Sequence, residues 1–319
     1  MKRSYVSKKP KIKEEDEGKP KINNNDILSD LTKNAIESHG RLPWRTPFAV
    51  DYNPLSKNGT YYRGGNALMT KLVREEKGWK DCRWMTYKQI SEAGGTVLKD
   101  SKATKIISYG GGNNDKYNKD ASKEHGSDQF IESKNTSNEP EKKQRSFIFT
   151  VNIFNKEQTQ GLTLDEKSSS RPEKDPYDAV KEKLGDRCPQ IVIGSVDAYD
   201  PTNDKIVMLP ENQYRSRDHM AWCLAVNAAY ASAKPGRFYS MERDDTADAV
   251  SVAREAIRCE SAGTIMMTKL GYKEYIYPEG KNSIANWSRL LEEKKLNMYK
   301  LLSDGDKISS YLLNDKSPE

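Results

Sequence analysis

The chain has 319 residues, of which 31% are charged, and its mean hydropathy is -0.91. This length allows two domains of ordinary size, and the low hydropathy predicts polar segments outside their cores. No run approaches about 18 apolar residues, and no apolar segment follows the basic N-terminus, which argues against a transmembrane helix and a secretory signal. We therefore expect an intracellular protein, cytoplasmic or nuclear, that is not secreted and binds no membrane.

The positive charge is concentrated in one segment of the chain. Residues 41–109 hold 13 Lys and Arg against 6 Asp and Glu, whereas residues 146–319 hold 24 against 27. The formal net charge of the whole chain is +6, so the excess in residues 41–109 accounts for all of it. A polyanionic partner is therefore expected to bind the N-terminal half.

The cysteines indicate the redox environment. Cys82, Cys188, Cys223 and Cys259 are widely spaced and include no CxxC pair. This spacing argues against a zinc ribbon and against a dense disulfide framework. A reducing compartment is the expected setting.

The N-terminal residues are predicted to form a tail followed by a helix. Residues 1–25 hold a basic run, an acidic run and almost no apolar side chains, a composition typical of a disordered tail. The basic run at residues 8–13 is either plainly solvated or a nuclear-localisation signal. Asp26 is a candidate N-cap for a first helix that ends near Gly40. Residues 26–164 are then predicted to form the first domain.

Two short runs in the basic segment place cations beside aromatic rings, at residues 61–69 and 83–89. An aromatic ring can stack on an unpaired base while a neighbouring cation binds its phosphate. The pattern therefore predicts a binding site for single-stranded nucleic acid. The candidate residues are Trp44, Arg45, Tyr62, Arg63, Asn66, Arg83, Trp84, Tyr87 and Lys88.

These candidates divide by their chemistry. The four cations would neutralise phosphates, and the four aromatic rings would stack on bases. Trp44 could equally anchor its segment to the core. Asn66 is predicted to cap a helix from Ala67 to Lys77 and to contact a base edge or a phosphate. The glycine pair before it either lets the backbone approach a phosphate or only forms a turn.

Short elements are expected to complete the basic segment. Thr86 and Gln89 fit a capping box, which predicts a helix over residues 87–93. Residues 96–98 and 105–109 are predicted to pair with each other as strands of a hairpin-like sheet.

The strongest strand of the chain is predicted at residues 146–154, which are rich in Phe, Ile and Val, and it should complete the N-terminal sheet. Residues 110–144 are rich in Gly, Asn, Lys, Ser and Asp and are predicted to form a flexible insertion before this strand. Residues 165–176 are predicted to form a polar linker between two domains.

The second domain, predicted over residues 177–303, begins with strands near residues 191–193 and 204–209 and then becomes helical. The predicted helices are Asp218–Ser232, Asp245–Leu270 and Ser283–Leu302. One face of the last helix should face the core, through Ile284, Trp287, Leu290 and Leu291. Residues 304–319 are expected to form a tail. The predicted fold class is α+β, with a small sheet and helices followed by a mainly helical domain.

The order and spacing of several motifs resemble the ArdC-type antirestriction family. The motifs are Pro43-Trp44, Tyr62 to Leu68, Arg83 to Gln89, Phe154-Asn155 with Gln158 and Gly161-Leu162, and Asp204-Lys205-Ile206 with Met208 and Pro210. The resemblance implies an N-terminal domain that binds single-stranded DNA and is also found in plasmid primases. It also implies a C-terminal zincin-like metallopeptidase domain.

The metal motif of that family is degenerate in this chain. Members carry an H-E-x-x-H helix, in which two imidazoles share one zinc and the Glu polarises its water. Here Ala225, Val226 and Ala229 stand at those positions. Glu255 and Glu260 match the acidic helix from which the family would take a third ligand, so the resemblance implies a vestigial site without metal, cofactor or catalytic residue.

Two other interpretations concern the same residues. The chain has three histidines, and a rearranged metal set would have to come from His219, Cys223 and Cys259. Alternatively, Glu255 and Glu260 only form ion pairs with neighbouring arginines, such as Arg254 or Arg258, or with another helix.

We therefore predict a single-stranded DNA-binding protein with a catalytically inactive metallopeptidase-like domain that acts in DNA protection, replication or packaging. RNA stays open as a ligand, because stacking and phosphate contacts serve both nucleic acids. The C-terminal domain could recruit a protein partner. The alternatives are a metallopeptidase with a rearranged metal site and a structural protein that coats DNA.

Overall fold

The computed structural model describes most of the chain outside its two ends and the predicted insertion. The described residues are 23–45, 55–56, 61–110, 147–162, 164, 171–238, 248–272, 281–293 and 295–314. Most of the predicted tail over residues 1–25, the predicted insertion after residue 110, and the first half of the predicted linker lie outside these ranges. Among the described residues, no helix combines the length and the apolar character needed to cross a bilayer.

The first helix, α1, spans Asn24–His39. Its N-cap is Asn23, whose side-chain oxygen accepts a hydrogen bond from the backbone N–H of Asn25, so the predicted cap at Asp26 is wrong. Asp26 lies in the first turn instead, where a negative charge suits the helix dipole. The predicted end at Gly40 is confirmed, since this residue has the left-handed φ of 61° that favours glycine at a C-cap.

Six strands follow among the described residues of the N-terminal part. They are β1 Leu55–Ser56, β2 Arg83–Thr86, β3 Thr96–Val97, β4 Thr104–Gly110, β5 Phe147–Asn155 and β6 Thr159–Gln160. Four of them form one sheet in the order β1-β2-β5-β4, and β5 pairs antiparallel with both β2 and β4. The prediction that the strongest strand completes the sheet is confirmed.

The predicted hairpin between residues 96–98 and 105–109 is wrong. Strand β3 pairs antiparallel with β6, and β4 pairs with β5 along its whole length. The reason is length, because β5 offers β4 a ladder from Thr104 to Gly110 that the two-residue strand β3 cannot match.

Two helices accompany this sheet, α2 at Gly64–Lys77 and α3 at Tyr87–Glu92. The predicted capping box of Thr86 and Gln89 is confirmed, with both reciprocal hydrogen bonds present. The predicted cap of α2 at Asn66 is wrong, because the helix begins at Gly64, which adopts a φ of 50°, and Arg63 is the N-cap.

The C-terminal part contains helices α4 Pro176–Leu184, α5 Arg217–Ser232, α6 Ala249–Lys269, α7 Lys281–Glu292 and α8 Met298–Leu313. Strands β7 Gln190–Ile193, β8 Ala198–Asp200 and β9 Lys205–Met208 form a second sheet in the order β7-β9-β8. The predicted fold class, α+β, is confirmed. Helix α4 was not predicted, although Asp175 caps it and Pro176 occupies its first position.

The end of the chain differs from its prediction in two ways. The single helix expected over Ser283–Leu302 is two helices, because Asn297 caps α8 by accepting a hydrogen bond from the N–H of Lys300. The predicted tail from residue 304 is wrong, since α8 continues to Leu313 and buries Ile308 and Leu312.

One hydrophobic cluster joins both parts of the chain. Leu28 of α1 and Leu68 of α2 pack with Ile257 of α6, Leu291 of α7 and Leu302 of α8. The predicted apolar face of α7 lies in this cluster: two of its four side chains are buried in it and the other two pack against it. A second cluster lies between α4, α5, α6 and α8. The division into domains at residues 26–164 and 177–303 stays a prediction.

Candidate nucleic-acid interface

Trp44 and Arg45 lie in a short 3-10 turn, Pro43–Arg45, that binds helix α6. Trp44 is only 3% exposed, and its Nε1 donates to Glu260 Oε2 over 2.8 Å. Arg45 Nε donates to the same oxygen over 2.7 Å, and its Nη2 donates to Oε1 over 2.5 Å. The predicted stacking of Trp44 on a base is therefore contradicted by burial, and the alternative, an anchor to the core, is confirmed.

The partner of Glu260 was not among those named from the sequence. Its carboxylate is buried and receives a bidentate guanidinium from Arg45. Such a fork is the strongest form of a charge-assisted hydrogen bond. Arg45 therefore forms an ion pair with Glu260 inside the protein and is not positioned to bind a phosphate.

The second run of candidates is also partly turned inward. Trp84 is 0% exposed and packs edge-on against Trp79, with 5.8 Å between the ring centroids, so its predicted stacking on a base is contradicted. Arg83 donates to both carboxylate oxygens of Asp81, over 2.9 and 2.5 Å. Burial would raise the pKa of Asp81, but the hydrogen bonds and charge of Arg83 outweigh it and lower that pKa.

Asn66 holds helix α2 to the sheet. Its Nδ2 donates to the carbonyl oxygen of Ile107 over 2.6 Å, and its Oδ1 accepts from the N–H of Ile107 over 2.9 Å. The side-chain amide thus pairs with both backbone groups of one residue of β4, as a neighbouring strand would. Each polar atom of the amide keeps one further hydrogen-bonding position, so the predicted contact with a base edge or phosphate stays a prediction.

The glycine pair at the start of α2 serves close packing against α8. A Cβ at Gly65 would collide with the ring of Tyr299, and one at Gly64 would lie 3.3 Å from Ser303 Cα. The two roles expected from the sequence, a phosphate contact or a simple turn, do not include this close packing. The pair lets two helices of different predicted domains approach each other.

Four side chains of the two runs do reach the surface. Tyr87 is 66% exposed, and Lys88, beside it in the first turn of α3, is also exposed. Arg63 has 49% of its side chain exposed, and Tyr61 is 43% exposed. Tyr61 was not a candidate from the sequence, although adjacent residues of an extended segment face opposite sides, which predicts different environments for the two neighbouring tyrosines.

Tyr62 lies between these two groups. It is partly buried, and its hydroxyl donates to the carbonyl oxygen of Trp84 over 3.4 Å. Burial raises the pKa of Tyr62 to about 12. Part of its ring therefore supports the sheet instead of offering a free face to a base.

A cleft opens beside this exposed group. It has a volume of about 440 Å³ and lies between the segment of residues 61–64 and the helices α6 and α8. Asp306 of α8 stands in it, with Oδ2 3.9 Å from Arg63 Nη1 and Oδ1 3.8 Å from Lys269 Nζ. The sequence carried no signal for this juxtaposition, because Lys269 and Asp306 lie about two hundred residues or more from Arg63.

Hydrocarbon side chains occupy the positions of the degenerate metal motif. Ala225 and Ala229 are 0% exposed in α5, and Val226 packs so closely on α6 that a Cβ at Gly263 would lie 2.6 Å from Val226 Cγ2. Gly263, which has no side chain, lets α5 and α6 approach each other closely at the positions where a metal would need space. These side chains offer no donor atom, so they do not fit a metal ion.

The side chains of the alternative metal set, Cys259, Cys223 and His219, also pack inside the protein. Cys259 is fully buried, and desolvation raises the pKa of its thiol well above the usual value. Cys223 and Tyr214 both contact Asp197, and burial lowers the pKa of His219. Over the part of the chain that the structure describes, no group of three or more His, Cys, Asp or Glu side chains is arranged to hold a metal ion.

Comparison with known proteins agrees with the N-terminal motifs. A model of the N-terminal domain of anti-restriction factor ArdC matches residues 23–154. Two DNA primases named TraC from Escherichia coli are 25% and 24% identical to the chain, each over 86% of it. The chain spans only 25% and 19% of the length of these primases.

The fold itself is found among solved structures. Crystal structures of the antirestriction protein ArdC from the R388 plasmid, metal-free and Mn(II)-bound, each match with a TM-score of 0.65 and 24% identity. Each match covers 92% of this chain and 98% of the plasmid protein. The resemblance inferred from the motifs is confirmed: residues 23–154 match the model of the ArdC N-terminal domain, and the chain has the fold of the solved ArdC structures over 92% of its length.

Proposed function

We propose that the protein binds single-stranded DNA through the exposed cations and rings of its basic segment. The observation that carries the proposal is the pairing of Tyr61 with Arg63 and of Tyr87 with Lys88, each an exposed ring beside an exposed cation. Stacking on an aromatic ring contributes about 1–3 kcal/mol per base and tolerates any sequence. The excess positive charge of residues 41–109 supports the same ligand.

We propose further that the C-terminal helices are a catalytically inactive, peptidase-like scaffold. The carbon side chains at Ala225, Val226 and Ala229 support this, since a metallopeptidase needs ligands there. The antirestriction name of the plasmid protein and the primase name of the two relatives favour a role in DNA protection or replication, with packaging as a further setting.

The test is fluorescence anisotropy of a labelled oligothymidylate across a salt series, with a duplex and an oligouridylate of equal length as competitors. We expect salt-sensitive binding that prefers the single strand. Replacing Arg63 and Lys88 together by Gln should weaken binding about tenfold and reduce the slope of log K against log salt by about 1.4, since each single-strand phosphate contact contributes about 0.7.

The matched control removes the same charge elsewhere. Lys181→Gln with Lys183→Gln alters two exposed lysines at the end of α4 and should leave both affinity and slope unchanged. Equal losses in the two double variants would show that only net charge matters. No binding by the unaltered protein at low salt would refute the proposed function.

A further inference from the structure

The cleft between the N-terminal segment and the C-terminal helices has the size of a small-ligand site. Its volume of about 440 Å³ falls within the range of about 300–1,000 Å³ that such sites occupy. Tyr61 and Arg63 lie on one side, and Thr264, Thr268 and Lys269 of α6 lie on the other. One wall therefore comes from each predicted domain.

The charges in the cleft are arranged for a second anion. Arg63 and Lys269 approach the Asp306 carboxylate from two sides, at 3.9 and 3.8 Å, which exceeds the 2.7–3.2 Å of an ordinary hydrogen bond. Lys269 Nζ also donates to Ser310 Oγ over 3.0 Å. Both ion pairs to Asp306 are long and of small net value, so an incoming phosphate would compete with this carboxylate for the two cations.

An aromatic face lies at the same cleft. Tyr61 is 43% exposed there, beside Arg63. A ring and two cations around one small cleft match the parts of one unpaired nucleotide, namely a base and a phosphate. Asp306 occupies the space between the cations and would compete with the phosphate.

We propose that this cleft holds one nucleotide of a bound single strand, with its base against Tyr61 and its phosphate near Arg63 and Lys269. Helix α6 of the C-terminal part is then a wall of the DNA site and not only a scaffold behind it. The inference rests on the proposed function and adds to it a residue, Lys269, and a competitor, Asp306.

Two substitutions with opposite expected effects test the proposal. Asp306→Asn keeps the shape of the side chain and removes the competing charge, so oligothymidylate should bind about threefold more tightly in the anisotropy assay. Lys269→Gln should weaken binding about fivefold and lower the salt slope by about 0.7. Lys307→Gln, at an exposed neighbouring position of α8, is the control and should change neither.

The paired design separates binding from folding. A misfolded variant loses affinity, so tighter binding by Asp306→Asn cannot come from structural damage. The inference is overturned if Asp306→Asn binds no more tightly, or if Lys269→Gln behaves as Lys307→Gln does, while the unaltered protein binds. If the unaltered protein does not bind at all, the proposed function fails first.

A direct measurement locates the strand. Ile265→Cys places a thiol on the α6 wall of the cleft, and Val252→Cys places one at an exposed position of the same helix. Alkylation is followed at each site by mass spectrometry, which separates the introduced thiol from the native ones. Saturating oligothymidylate should slow alkylation at position 265 at least about fivefold and leave position 252 unchanged. Unslowed alkylation at position 265 would exclude the cleft and leave DNA binding elsewhere intact.

Discussion

Trp44 and Trp84 illustrate at the residue scale how burial overrides a local pattern. Both stand beside an arginine, as the residues of a stacking site would, yet both rings lie inside the protein. A large apolar ring contributes most to stability when it is buried away from water. A short run of residues does not determine which of two neighbouring side chains faces solvent. Among the four candidate rings, Tyr87, which has a smaller and more polar ring, is the exposed one.

The ion pair between Glu260 and Arg45 should be important for stability. Glu260→Gln leaves the Arg45 guanidinium facing a neutral amide in a mostly buried position, so we expect a loss of about 2–3 kcal/mol in the free energy of unfolding. This value is below the range for fully buried pairs because part of Arg45 is exposed. Urea denaturation followed by tryptophan fluorescence measures it.

Glu292→Gln is the control for that change. Its carboxylate pairs with Lys33 over 3.2 Å at an exposed position, so the loss should be about 0.5 kcal/mol or less. If the two variants lost equal stability, the buried bridge would contribute no more than a surface pair, and Trp44 packing alone would hold the turn.

At the scale of elements, α8 shows why a run of polar residues can lie within a helix. The predicted tail from residue 304 follows Ser303 with two Asp, a Gly and a Lys in four residues. In the fold, Asp304 is buried against Arg258, with Oδ2 3.3 Å from Nε, and a Cβ at Gly305 would lie 3.0 Å from the carbonyl oxygen of Arg258. The polar and small residues are what a close contact between α8 and α6 requires.

Truncation tests the length of α8. A chain that ends after Ser303 loses Ile308, Leu312 and Leu313, each worth about 1.5–3 kcal/mol when buried. The sum is comparable to the whole stability of an ordinary domain, about 5–15 kcal/mol, so we expect no cooperative unfolding transition by circular dichroism.

A chain that ends after Asn314 keeps every described residue of α8 and is the control, with stability close to that of the full chain. A cooperative transition in the shorter chain at a similar denaturant concentration would show that the second half of α8 is dispensable, as the predicted tail would be.

At the scale of the whole molecule, the shared cluster predicts that both parts unfold together. Leu28 of α1 is 0% exposed among side chains of α6, α7 and α8 as well as α2. Leu28→Ala should therefore lower the free energy of the entire transition by about 2–5 kcal/mol. Tryptophan fluorescence and far-ultraviolet circular dichroism should shift by the same amount.

Trp79 and Trp84 report on the N-terminal sheet and Trp222 reports on α5, so single-tryptophan variants distinguish the two parts. Two separate transitions, of which only the N-terminal one moves in Leu28→Ala, would instead support independent domains divided near residues 165–176.

Much of this protein follows from its sequence alone. The capping box at Thr86 and Gln89, the end of α1 at Gly40 and the long strand β5 depend on neighbours in the chain, so local chemistry suffices to place them. The missing imidazoles and the excess charge of residues 41–109 are equally plain in the sequence, because they concern which atoms exist and not where they lie.

The packing of the fold determines which of the candidate side chains face solvent. Arg45 meets Glu260, Asn66 meets Ile107, and Asp306 stands between Arg63 and Lys269. Each of these contacts joins residues that are remote in the chain, and the competition between a protein partner and a ligand for one side chain is settled by packing. A single sequence records the side chains that can bind, but not the partners that already hold them.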